Sequence, residues 1–132
     1  MRIFSASNII KTCLLVAGLT LSSAVQTHAQ IHTDTAAPFF TLLPDIPLIP
    51  GTEELVDESI VFDKPAGRYV RVVSMSDTHN DGQILHFYKT ALPALGWTPK
   101  SKNTYTRGQD FLSISTEETE NIRIIYVTVE PQ

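Results

Sequence analysis

The chain has 132 residues, enough for one domain. Fourteen Asp and Glu face ten Lys and Arg, and this acidic balance repels phosphate backbones and anionic lipid, which excludes nucleic-acid and membrane-surface binding from the expected roles. The single cysteine, Cys13, lies in a segment expected to be removed, so disulfide and thiolate chemistry are excluded from the mature protein.

Residues 1–29 read as a signal peptide. Arg2 and Lys11 flank a polar n-region, and Thr12 to Val25 is a mostly apolar run of signal-core length, too short for a comfortable membrane span. Thr27-His28-Ala29 supplies small residues where cleavage needs them, which places the cut between Ala29 and Gln30. Cys13 opens the apolar run, whereas a lipid-acceptor cysteine would close it, so the chain is not expected to be a lipoprotein. The expected destination is periplasmic or secreted, with no stable membrane insertion after cleavage. Loss of Arg2 and Lys11 leaves eight basic and fourteen acidic residues, a formal charge of −6.

Residues 30–57 are assigned to a spacer and a proline-rich arm. Gln30 to Ala37 is polar and lacks periodicity. Pro38, Pro44, Pro47 and Pro50 then forbid helix and central strand, favouring an extended or polyproline II backbone. The same segment carries Phe39, Phe40, Leu42, Leu43, Ile46, Leu48 and Ile49, too much apolar area to leave in water. It is expected to dock on its own domain through Asp45 to Gly51, or on a partner.

Residues 58–132 are assigned to a single α+β domain. Ser59 to Asp63 and Arg68 to Ser76 are rich in β-branched and aromatic residues and flank Lys64-Pro65-Ala66-Gly67, so they predict a hairpin. Asn80 to Trp97 carries the helical repeat, with Ile84, Leu85, Phe87, Tyr88, Ala91, Leu92 and Leu95 on one stripe. Asn80 and Gln83 form a capping-box pattern, Pro93 predicts an end near Leu92 or a distorted last turn, and Gly96 supplies the stop. Trp97 is expected to lid the buried face.

Trp97 to Lys100 reads as a short strand, and Thr104 to Arg107 and Phe111 to Thr116 flank Gly108-Gln109-Asp110 as a second hairpin. A polar loop, Glu117 to Asn121, precedes Ile122 to Glu130, which is apolar on both parities and therefore expected near the centre of the sheet. The predicted architecture is one antiparallel sheet of about five strands under one amphipathic helix, with the arm over an edge or the other face.

Val72 to Asp81 carries the strongest chemical pattern. A strand ending in Ser76-Asp77-Thr78-His79 resembles the first metal block of metallophosphoesterases, but no further Gly-Asp or Gly-Asn-His block follows to complete a two-metal centre. Asp77-Thr78-His79-Asn80-Asp81-Gly82 also resembles the opening of an EF-hand loop, yet its twelfth position is Tyr88 in place of a bidentate Glu. No metal or cofactor is therefore expected, and Asp77, His79 and Asp81 are the residues that would form a site if one existed; the ordinary reading is a polar turn that caps backbone amides. His86 lacks a second ligand at helical spacing, Ser113 and Ser115 lie in no nucleophile elbow, and Glu117, Glu118 and Glu120 fit a solvated turn. No catalytic residue is assigned.

From Asp45 onward the chain resembles a family of small exported bacterial proteins without an assigned activity. The resemblance rests on Pro44 to Gly51, on Val61-Phe62-Asp63-Lys64-Pro65-Ala66-Gly67-Arg68, and on Phe87-Tyr88 through Leu92-Pro93-Ala94-Leu95-Gly96-Trp97. Tyr105 to Arg107 and Ile122 to Pro131 complete it. It implies an α+β fold, with Phe87, Tyr88, Leu92, Gly96 and Trp97 in structural roles, and it implies no reaction. The functional expectation is a non-catalytic module of the cell envelope that binds another envelope protein through the arm, with its oligomeric state left open. The alternatives are a small-ligand or metal-dependent site at Asp77 to Asp81, and a purely structural envelope component.

Overall fold

The computed structural model describes residues 37–132. The proposed signal peptide, its cleavage point at Ala29 and Gln30, and most of the spacer lie outside the described residues.

The fold is α+β. In chain order its elements are β1 (Glu53–Glu54), a 3-10 turn (Val56–Glu58), β2 (Ile60–Lys64), β3 (Gly67–Ser76), α1 (Asp81–Ala94), β4 (Thr98–Ser101), β5 (Thr104–Arg107), β6 (Asp110–Thr119) and β7 (Ile122–Pro131). The sheet has seven strands among the described residues, two more than expected, in the order β1-β3-β7-β6-β5-β4, with β2 also on β3. Every pairing is antiparallel. Part of the excess is β1, inside the segment assigned to the arm. Two acidic residues carry no strand pattern of their own, and only pairing with Met75 and Ser74 of β3 extends them.

β7 lies between β3 and β6, the interior position that its apolar residues on both parities require. The expected loop from Glu117 to Asn121 is shorter than its composition suggests. β6 continues to Thr119, and Glu120 and Asn121, with φ of 51° and 66°, alone make the turn. Two consecutive left-handed residues are what a two-residue hairpin needs to match the strand twist.

One sheet face is closed. Val70, Val72, Leu112, Ile114, Ile125 and Val127 form a single buried cluster with Ile84, Tyr88 and Leu92 of α1, positions four apart on one stripe. Phe87, on the flank of that stripe, is half-buried and meets Tyr88 edge-on at 5.1 Å. α1 starts on the capping box: the Gln83 N–H donates to Asn80 Oδ1 at 2.9 Å and the Asn80 N–H donates to Gln83 Oε1 at 3.0 Å. It runs through Pro93 to Ala94, past the nearer of the two expected ends and within the further one. The tolerance is local, because only the Lys89 carbonyl loses a donor and the end is rebuilt at once. Gly96, at φ 84°, lets the Trp97 N–H reach the Leu92 carbonyl at 3.1 Å while its own N–H reaches Pro93, a Schellman closure.

The arm is part of this core. Phe40, Leu43, Ile46, Leu48 and Ile49 are buried in the same cluster as α1, so the arm shares the helix face of the sheet and does not cover the opposite one. Nor is it extended throughout: the Phe40 N–H bonds the Ile46 carbonyl at 3.1 Å, the Ile46 N–H bonds Leu43, and Phe39 bridges Pro47. The chain doubles back between its prolines. Glu54 of β1 pins the loop by accepting from the Thr41 N–H at 2.9 Å and its hydroxyl at 2.8 Å. The folded unit therefore begins well before residue 58.

Candidate interaction surface

The Asp77 to Asp81 turn is held by its own side chains. Ser76 Oγ accepts from the backbone N–H groups of Thr78 and His79 and lies 2.7 Å from His79 Nδ1. Asp81 Oδ1 lies 3.3 Å from Arg123 Nε, whose guanidinium also meets Glu118 at 2.8 Å and so ties α1 to β6. Asp77 is exposed at the wall of a small pocket of about 290 Å³, beside Gly51, Thr52 and Glu53. Thus Asp77, His79 and Asp81 are not drawn together on a common centre. Among the described residues no group of three or more His, Cys, Asp or Glu side chains could hold a metal ion.

Of the structural residues named from the sequence, Phe87 is half-buried on the flank of the closed face and Gly96 is exposed at the helix end. Tyr88, Leu92 and Trp97 are buried, and burial pushes the Tyr88 phenol far above its ordinary pKa because no group in the cavity solvates a phenolate.

The opposite face is not covered by α1 or the arm, although Val73 and Thr128 on it are buried. Tyr69, Arg71, Val73 and Met75 of β3 and Ile124, Tyr126 and Thr128 of β7 point away from α1 by strand alternation. Phe62 of β2 stacks on Tyr69 at 4.6 Å, and Lys64 Nζ lies 4.8 Å from the Tyr69 ring centroid. A shallow cavity of about 360 Å³ between Glu58, Ile60, Arg71, Val73, Ile124 and Tyr126 continues the patch. Desolvation first, and then the Glu117 carboxylate that accepts its hydroxyl at 3.3 Å, push the Tyr126 phenol upward.

The two margins of the sheet differ. The β4 margin carries Pro99 and Lys100 and is exposed along its length, the composition that discourages strand addition. The β2 margin shows Ile60, Val61 and Phe62 at 47%, 43% and 45% exposure, and its charged residues, Asp63 and Lys64, stand only at its end.

The backbone at that margin is also unpaired. Val73 donates its N–H to Ser59 Oγ at 3.2 Å and accepts from the Leu55 N–H at 2.8 Å, so its polar groups face the β1 and β2 flank. By alternation Arg71, Tyr69 and Gly67 face the same flank and meet their register partners Ile60, Phe62 and Lys64. Val61 and Asp63 therefore direct N–H and C=O outward, away from β3.

Sequence reasoning identified Ile60 to Phe62 as strand residues but not as a free edge. Three consecutive large apolar residues put apolar side chains on both faces of the strand, but they carry no sign of whether another strand pairs beside it.

No family model, curated protein or solved structure matches this chain. No helix among the described residues is long and apolar enough to cross a membrane.

Proposed function

We propose that the chain is an exported, non-catalytic interaction module of the cell envelope that binds proteins by accepting an extended strand along β2. Export follows from the leader pattern in residues 1–29. The observation that carries the binding reading is the β2 margin, where outward Val61 and Asp63 backbone groups adjoin exposed Ile60 and Phe62. An added strand satisfies the backbone groups, and its alternate apolar residues extend the Phe62 and Tyr69 patch. The arm, for which the sequence predicts docking on its own domain or on a partner, has its apolar side chains inside the core apart from exposed Phe39 and half-buried Leu42, which favours β2 as the contact surface.

A photo-reactive phenylalanine analogue at position 62 tests this in envelope extract, with the same group at Lys100 on the guarded margin as the control. Adducts are expected at position 62 alone. They should vanish on Val61→Pro, which removes an outward N–H and leaves every bond to β3 in place. Adducts that survive Val61→Pro, or that form equally at Lys100, would sink the reading.

A further inference from the structure

We infer that the strand seated on β2 in the purified protein is β2 of a second copy, antiparallel and centred on Val61. The inference rests on the strand-accepting reading and names its occupant. A two-fold axis through an edge strand requires that its central residue face outward, so that it can exchange N–H and C=O with its own mate. Val61 meets that condition by its parity against Val73.

The flanking pairs then follow from the residue numbers. Ile60 lies opposite Phe62 of the second copy, both on the open face, so each apolar side chain is covered by the other. Each Asp63 N–H reaches the Ser59 carbonyl across the axis. That pair makes a single bond, because the Ser59 N–H already donates to Val56 at 3.0 Å. Glu58, at the end of the 3-10 turn that leads into the strand, falls on the side of Lys64, which already lies 3.5 Å from Glu130, so acid and base face each other at both ends of the pair. Moving the axis two residues in one direction, to Asp63, sets Lys64 against Phe62 and draws Pro65 into the pairing; moving it two in the other, to Ser59, sets Ile60 against Glu58 and Phe62 against Val56. Only the Val61 centre matches apolar with apolar and acid with base.

The other margin cannot do the same. Pro99 lacks an N–H, and Lys100 beside it brings two like charges to the axis of any symmetric β4 pair. One margin thus pairs and one ends the sheet, which predicts a closed dimer instead of an open fibre. The strand is short. Five residues a side make little contact against the roughly 1,200 to 2,000 Å² that stable complexes bury, so the dimer is expected to dissociate on dilution. That leaves the margin available to a competing strand.

Sedimentation of the purified protein over a hundredfold range of concentration is the test. The weight-average mass is expected to rise from one chain toward two and to stop there, while Val61→Pro stays at one chain throughout. Amide exchange on the unaltered protein gives the answer even if that variant does not fold. The Val61 and Asp63 amides should gain protection with concentration, whereas Phe62, bonded to β3, should not change. One chain at every concentration, or association without protection at Val61, overturns the self-pairing. A monomer that still yields Phe62-specific adducts with foreign chains overturns it while leaving the strand-accepting reading intact. Absence of any adduct overturns that reading as well.

Discussion

The guanidinium carbon of Arg107 lies 4.2 Å from the centroid of the Trp97 ring. From there the same side chain pairs with Asp45 in the arm and reaches the Leu95 carbonyl at the end of α1, 3.4 Å away. One residue of β5 therefore holds together the arm, the helix terminus and the only tryptophan. Arg107→Ala should cost about 1 to 2 kcal/mol in urea unfolding, the scale of a partly desolvated cation–π contact. Arg107→Lys should recover only part of the loss, because an ammonium does not reproduce a flat stack. The Asp45 pair is more than a third exposed, so its coupling in a double-mutant cycle should stay below about 1 kcal/mol.

Leu92 and Trp97 close the helix together, since the Trp97 N–H bonds the Leu92 carbonyl and both side chains are buried. Leu92→Ala should lose about 2 to 5 kcal/mol and Trp97→Ala about 3 to 5 kcal/mol. A loss under about 1 kcal/mol for either, measured by denaturant unfolding, would contradict their place in the core.

The arm offers an internal contrast. Phe40 is 1% exposed and its neighbour Phe39 is 47% exposed. Phe40→Ala is expected to cost about 3 to 5 kcal/mol and Phe39→Ala less than about 0.5 kcal/mol. Equal small effects would mean that the arm is a dispensable appendage.

At the start of α1, a capping role and a metal-binding role predict opposite results. Asn80→Ala should lower stability by about 1 kcal/mol through the broken capping box. Asp77→Ala should leave the melting temperature unchanged, and divalent cations should not raise it in either protein. A cation-dependent rise that Asp77→Ala removes would restore the metal reading.

Alkaline titration reports the closed face. The Tyr88 phenol has its pKa raised by burial above the ordinary value of 10.0, so the folded state holds a proton that the unfolded state releases above that pH. Its contribution is therefore complete below pH 10.0 and is lost as pH rises further. Tyr88→Phe should flatten that decline. It should be neutral or slightly stabilising near neutral pH, because the buried hydroxyl has no partner among the described residues.

Much of the fold was legible where one local rule governed one segment. The spacing of Ile84, Tyr88 and Leu92, the Asn80 and Gln83 box, and Gly96 before Trp97 marked a helix with its buried side and both ends. The alternation of Leu112 and Ile114 with Ser113 and Ser115 marked a half-buried strand. β1 was not legible, because Glu53 and Glu54 are extended only by pairing with β3. In the arm, proline forbids regular structure and so predicts an extended backbone, but it does not forbid a loop whose apolar side chains fill a core.

By itself, then, the sequence determined the elements whose periodicity and caps are local: α1, the two hairpins and the interior place of β7. Tertiary structure alone decided that the arm and α1 share one face, that Arg107 bridges them, and that β2 is left as the unguarded margin. The reason is physical. A strand's hydrogen bonds lie in the plane of the sheet, so its side-chain pattern shows which face is buried but carries no record of whether a neighbour stands beside it.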